Sequence, residues 1–385
     1  MSKQALKALL PAGLEDLLPP EADQEDAMVR LLSDNFTSYG YQRVKPPLLE
    51  FEDSLLDGIG EAVAGQTFRL MDPISQRMMG LRADITPQVA RLAATRLQDA
   101  PRPLRLMYVG EVFRVKGEQL RTNRAISTIG VELIGAARAA KADAEVILLA
   151  AESVIALGVD SLSVDINVPP LARMICDHFD VSVKTCEELL NALNRKDANT
   201  IEKVSGQAAV FLLGLLDAAG PANVSLTKLE QLELPGESGL LGKRLKEVVG
   251  LILEEAPNLN VTVDPADSRG FEYHTGISFA LFARNSRVEL GIGGRYLTAG
   301  DEPATGFTLS TDIVMEAAAL PPLAKRLYVP FGTVSKTRKQ LQGSGWVTVN
   351  GLIPEKDLLA EGVRMQCSHV WLENKIQRLD VNLTR

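Results

Sequence analysis

Positive charge is what this chain has too little of for a nucleic-acid binder. Its 41 Lys and Arg stand against 49 Asp and Glu, for a formal net charge of -8 and a pI near 5.2. Nucleic-acid affinity rests on cations that neutralise phosphates, so no broad nucleic-acid footprint is expected. Aromatic residues make up 5% of the sequence, which leaves little material for base-stacking platforms. Cysteine is scarce too: Cys176, Cys186 and Cys367 are odd in number and form no CxxC, and His178, His274 and His369 are scattered. Such a set predicts neither a disulfide frame nor a metal site, and it suits a reducing cytoplasm. No cofactor is expected. Long apolar runs are missing as well. The longest, Ala208 to Leu216 with Gly214 inside it, is roughly half the ~18 residues that cross a bilayer. Leu9-Leu10 before Pro11 is too short for a signal-peptide core. The expectation is a soluble, cytoplasmic protein with no membrane partner.

What is present suits a globular protein of two or three domains: 385 residues, 46% hydrophobic and 23% charged. Glu21 to Tyr39 repeats Met28, Leu31, Leu32 and Phe36 at helical spacing. Val44 to Glu50 is extended, and Pro46-Pro47 confines it to a sheet edge or an interface. Short strands are predicted at Thr67 to Met71 and Met78 to Leu81, and a helix over Thr86 to Leu97 with Pro87 at its start. Leu104 to Val115 and Ala125 to Gly135 read as strands flanking a polar loop. Ala139 to Leu157 reads as a helix and Ser161 to Asn167 as a strand. From Pro169 to about Pro257 the pattern turns to short helices. Strands return at Val261 to Val263, Ile277 to Phe282, Val288 to Ile292 and Ala304 to Leu309. Pro321-Pro322 marks a boundary, beyond which strand and helix alternate. The expected fold is α+β: residues 1–320 form an antiparallel sheet flanked by helices with a helical insertion at about 169–257, and residues 325–385 form a small α/β module.

The chemistry-bearing residues suit a small amino acid. A free amino acid needs an anion for its ammonium, a cation for its carboxylate and selective groups for its side chain. Asp84 and Thr86 suit the ammonium, each charge-assisted bond contributing about 1.5–3 kcal/mol. Arg269 suits the carboxylate as a fork. Glu132, on an inward-facing strand, would accept an imidazole N–H, and glycines 291, 293 and 294 would leave room beneath the ring. Each residue taken singly has a plainer reading: Asp84 caps a helix, Glu132 faces water, Arg269-Gly270 is a turn and Gly293-Gly294 a bulge.

Joint occurrence in order overturns the plainer readings. Gly13 to Pro19, Tyr39-Gly40-Tyr41 through Pro47, Leu81 to Thr86, Val109 to Arg114 with Gly130 to Gly135, Arg269 to Gly276 and Gly293 to Tyr296 each resemble a segment of histidyl-tRNA synthetase, a class II aminoacyl-tRNA synthetase. The resemblance spans nearly the whole of the first 315 residues. It implies a histidine pocket made by Asp84, Thr86, Arg114, Thr128, Glu132, Arg269, Tyr273 and His274.

The same resemblance breaks on the nucleotide side. Lys116 stands where these synthetases carry an adenine-reading glutamate, and Ile313 where the third motif carries a phosphate-bracing arginine. An apolar side chain supplies no charge to a transferring phosphate. On the amino-acid side, Thr128 replaces a glutamine and His274 a tyrosine. The chain therefore resembles the synthetase-like regulatory subunits of ATP phosphoribosyltransferase. That likeness implies no catalytic residues of its own. It also implies a homodimer inside a hetero-oligomer with the short-form catalytic subunit, and L-histidine as effector. A shortened histidine-adenylating enzyme and a tRNA-binding regulator are the competing readings. Lys116 and Ile313 oppose the first; acidic charge and a C-terminal module too short for a full anticodon-binding domain oppose the second.

Overall fold

Two compact units, Met1–Leu320 and Pro321–Arg385, make up the computed structural model. It describes residues 9–117, 121–268, 273–284, 286–320 and 324–379. The amphipathic Glu21–Ser38 forms helix α1, burying Met28, Leu32 and Phe36. Strands β1 (Gln42–Arg43), β2 (Leu49–Phe51), β3 (Phe68–Met71) and β4 (Met78–Leu81) follow, then helix α2 (Thr86–Ala94). Strands β5 (Leu104–Phe113) and β6 (Ala125–Ile134) form a long antiparallel pair, and helix α3 (Ala139–Ala156) leads into β7 (Leu162–Asn167). Six α-helices between Pro170 and Glu255 make up the inserted helical region, which carries the two-residue strand β8 (Gly220–Pro221). Strands β9 (Asn260–Asp264), β10 (Ser278–Ala283), β11 (Gly291–Leu297) and β12 (Pro303–Ser310) close the unit, with helix α4 (Thr311–Ala317) at the end.

Nine strands form one sheet in the order β1-β5-β6-β12-β11-β10-β7-β9-β8. The run from β5 to β7 is antiparallel, and β1 and β9 add parallel pairs toward its ends. Strands β2, β4 and β3 form a separate small sheet. In the second unit, β13 (Arg326–Val329), β14 (Val347–Asn350), β15 (His369–Leu372) and β16 (Lys375–Arg378) pair in the order β14-β13-β15-β16. Helices Ser335–Gly343 and Leu358–Arg364 connect its parallel strands. One strand lies away from its expected place. Val288 to Leu290 belong to the loop, and β11 begins at Gly291, because the paired glycines and Tyr296 match the register of β12.

Period-two alternation gives the central sheet two different faces. Ile129, Val131 and Leu133 of β6, with Phe307 and Leu309 of β12, lie in the main apolar core with α3. That helix is apolar nearly all round, as a helix buried in a core must be. Each fully buried Val, Leu or Ile contributes about 1.5–3 kcal/mol by area. Thr128, Gly130 and Glu132 point to the other face.

A buried ion pair ties β11 to α3. Arg295 donates to Asp143 at 3.2 and 2.7 Å, and to the Ala139 carbonyl at 3.0 Å. Both side chains are buried, so neither charge has water to fall back on. Arg295→Ala strands Asp143 and is expected to cost about 3–5 kcal/mol of stability. A urea midpoint within experimental scatter of the parent would contradict this.

Candidate functional site

The site begins with Glu132. Its Cα lies opposite Gly306 of β12, and a Cβ at 306 would stand 2.0 Å from Glu132 Oε2. Only a glycine there leaves space for the carboxyl group. Gly130 does the same for Tyr108, whose hydroxyl would sit 2.5 Å from a Cβ at 130. The two glycines thus open the sheet face to two polar groups.

Glu132 is 1% exposed and held by hydroxyls. Thr86 Oγ1 donates to Oε1 at 2.8 Å, and Tyr296 Oη donates to Oε2 at 2.9 Å. Tyr108 Oη lies 2.6 Å from Thr308 Oγ1 and 3.2 Å from Thr86 Oγ1. Burial pushes the Glu132 carboxyl up to about 8; the bonds from Thr86 and Tyr296 oppose that shift, and nearby Asp84 adds to it. Burial, with the Glu132 charge next in effect, keeps the Tyr108 and Tyr296 hydroxyls protonated far above their ordinary range.

A small cavity adjoins this carboxyl. Thr86, Glu132, Tyr273, His274, Gly294, Tyr296, Gly306 and Thr308 are among its walls, around about 190 Å³ of space between atoms. Only about 10 Å³ admits the centre of a water-sized sphere, about one water's worth, so a larger ligand requires the walls to part. The rings of Tyr273 and His274 stack with centroids 4.3 Å apart, and Tyr273 meets Tyr296 edge-on at 6.2 Å.

Four of the eight residues expected from sequence therefore line one cavity: Thr86, Glu132, Tyr273 and His274. Asp84, Arg114 and Thr128 stand outside that lining. Asp84 Oδ1 accepts the Thr86 amide at 3.0 Å, the helix-start role its position suggests on its own. Thr128 donates to the Gly110 carbonyl at 2.9 Å, and Arg114 is half-buried just beyond β5. Arg269, with Gly270, Phe271 and Glu272, lies outside the described residues.

The glycine expectation needs correcting. Gly291 lies outside the cavity lining and Gly293 within it; Cβ atoms at these two positions would meet Leu309 and the Phe279 ring, so both glycines also admit core side chains. Gly294 does face the cavity, with a Cβ there 2.5 Å from the His274 ring. Tyr108, Tyr296 and Thr308 were missed as site residues. Tyr108 and Tyr296 are each the single hydroxyl residue of their strands, so no repeat marked them.

Sheet, flanking helices and inserted helical region together define a class II synthetase-like domain, and the histidyl-tRNA synthetase family model matches residues 13–314. Two solved structures share the fold. An ATP phosphoribosyltransferase regulatory subunit/histidyl-tRNA synthetase from Bacillus halodurans superposes with a TM-score of 0.79 at 23% identity, covering 94% of this chain and 97% of that one. The histidyl-tRNA synthetase of Nostoc sp. PCC 7120 gives 0.79 at 18%, covering 94% and 90%. Sequence relatives narrow the assignment. An ATP phosphoribosyltransferase regulatory subunit from Rhodospirillum centenum is 49% identical over 373 residues, 97% of this chain and 96% of its own length. One from Paramagnetospirillum magneticum is 50% identical over 369 residues, 96% and 97%. The chain belongs to the ATP phosphoribosyltransferase regulatory subunit family.

The buried carboxyl has a measurable signature. Glu132 ionises near 4.5 when unfolded and near 8 when folded, so between these values the folded chain keeps a proton the unfolded chain has lost. Stability attributable to this group falls as pH rises through that window, by about 1.4 kcal/mol per pH unit at most. Glu132→Gln should remove that fall. Urea unfolding of parent and variant between about pH 5 and pH 8 tests it, and parallel pH profiles would rule out a buried proton at Glu132.

Proposed function

We propose that this chain is a non-catalytic regulatory subunit that binds free L-histidine at the Glu132 cavity. On this reading it activates a short-form catalytic ATP phosphoribosyltransferase subunit and carries histidine feedback to it in the cytoplasm, at the first step of histidine biosynthesis. The observation that carries the reading is the buried Glu132 carboxyl, held by Thr86 and Tyr296 and facing a small cavity walled by Tyr273 and His274. It favours a ring that can exchange a hydrogen bond with the carboxyl, which an apolar side chain of similar size cannot do. The names of the relatives support the regulatory role. Asp84 would hold the ammonium group and Arg269 the carboxylate. Arg114 and Thr128 would come into contact when the walls part, and the Tyr273–His274 pair would cover the ring.

Histidine adenylation is not expected. Lys116 is exposed, Ile313 is 8% exposed in the apolar core at the start of α4, and Asp312 is ion-paired with Arg121. Ile313 offers no cation to a triphosphate, and Lys116 is no acceptor for an adenine amino group. Histidine-dependent ATP–pyrophosphate exchange clearly above a protein-free blank would refute the non-enzyme reading.

A homodimer through the segment from Tyr41 to Glu50 completes the proposal. Leu48 and Leu49 are 39% and 36% exposed beside two prolines, which suits an interface better than a solvated strand. Sedimentation at micromolar concentration is expected to give a dimer, and a monomer would remove this part.

The decisive assay mixes this chain with the short catalytic subunit and follows phosphoribosyl transfer with and without histidine. Glu132→Gln should weaken histidine binding roughly ten- to a hundred-fold, since an unmet polar partner costs about 1–3 kcal/mol. Feedback inhibition should weaken with it while assembly persists. Arg269→Ala should weaken histidine more than histidinol, which lacks the carboxylate. Calorimetric affinity unchanged by Glu132→Gln would refute the pocket.

A further inference from the structure

We infer that helix α2 is a rigid link which reports the state of the Glu132 cavity to the segment Pro46–Glu50, where Pro47, Leu48 and Leu49 are exposed. The inference rests on the pocket reading above and adds its regulation. Three contacts on one short helix carry it. At its first residue, Thr86 donates to Glu132 Oε1 at 2.8 Å. Two residues on, buried Gln88 donates from Nε2 to the Pro47 carbonyl at 2.8 Å and to Glu50 Oε1 at 2.9 Å. Less than a turn later, Arg91 forks onto the same Glu50 carboxylate, with Nε to Oε2 at 2.9 Å.

Physical necessity connects these contacts. The cavity admits about one water, so a ligand that pairs with Glu132 must part the walls, of which Thr86 is one. Thr86 cannot follow alone. Its amide is held by Asp84, and Pro87 fixes the first turn, so displacement passes into the helix as a body. Gln88 and Arg91 grip Pro47 and Glu50 through side chains that are largely buried, and these contacts move with the helix. Arg82, which lies just ahead of α2, pins the same segment from the other side. It donates to the Pro46 carbonyl at 3.2 Å and to the Glu111 carbonyl at 2.8 Å. Arg82 also donates to Gln88 Oε1 at 3.4 Å, and Glu50 pairs with Gly80 of β4, so the segment is clasped by one connected set of contacts that filling the cavity shifts.

Hydrogen–deuterium exchange of peptides covering residues 44–51, with and without L-histidine, tests the link. Gln88→Ala removes the grip on Pro47. Glu50→Gln keeps the shape of the contact but loses its charge, and it is the better probe if Gln88→Ala unfolds. In the parent, histidine should change exchange in this segment by at least about fivefold, the low end of ordinary coupling between sites. Either variant should bind histidine within about threefold of the parent by calorimetry, yet change exchange in the segment less than about twofold. Histidine binding in the parent without any change in the segment overturns the link alone. So do variants that keep the full change. No binding heat in the parent overturns the pocket and the link together.

Discussion

Everything in the first unit is arranged around one expensive act, the burial of the Glu132 carboxyl inside a sheet. An ionised carboxylate taken out of water costs far more than its bonds return unless it is paired, so the group keeps its proton and takes hydroxyl partners instead. Thr86 and Tyr296 supply those partners from α2 and β11, on opposite sides of the strand that carries Glu132. Gly306 supplies the space, since any side chain there would collide with the carboxyl. Tyr108, resting over Gly130, links Thr86 to Thr308 and fills the remaining polar volume. The opposite face of the same strands is apolar beneath α3 apart from the Arg295–Asp143 pair, which fixes register: a slip of one residue would turn Glu132 into the core and Val131 into the cavity.

Much of the architecture was legible because its periodicities are strong. The helix at α1, the β5–β6 pair and the helical stretch before β9 all follow from apolar spacing, with ends within a residue or two of those expected. β11 was misjudged by a few residues because Gly291, Gly293 and Gly294 carry no side chain to mark alternation, and only pairing with β12 assigns them. β16 was not foreseen at all. Lys375 to Arg378 is a fully exposed edge strand, and such edges are polar by necessity, so no apolar pattern announces them.

The site was legible as an inventory and not as an arrangement. Thr86, Glu132, Tyr273 and His274 share the cavity as expected. The sequence could not tell that Thr86 serves Glu132, because the two lie 46 positions apart and meet only through the pairing of the sheet with α2. Nor could it separate the glycines that face the cavity from those that face the Phe279 ring. Their chemistry is identical, and only the face of the strand distinguishes them.

A sensor and an enzyme make different demands of this shared fold. An enzyme must hold the transition state better than the substrate, which in phosphoryl chemistry means cations aimed at developing charge. A sensor needs only a difference in binding free energy between two states of itself. The chain's own geometry fits the second demand. Ile313 contributes apolar packing at the start of α4, and the neighbouring Asp312 is ion-paired with Arg121. The polar investment is concentrated around the Glu132 cavity and at α2, where Gln88 and Arg91, with Arg82 just ahead of the helix, converge on Pro46, Pro47 and Glu50. Polar groups buried at that density hold one arrangement firmly and tolerate intermediates poorly, because each half-made bond strands a partner. On the proposed reading, this makes the passage between empty and filled cavity a switch between two arrangements rather than a graded deformation.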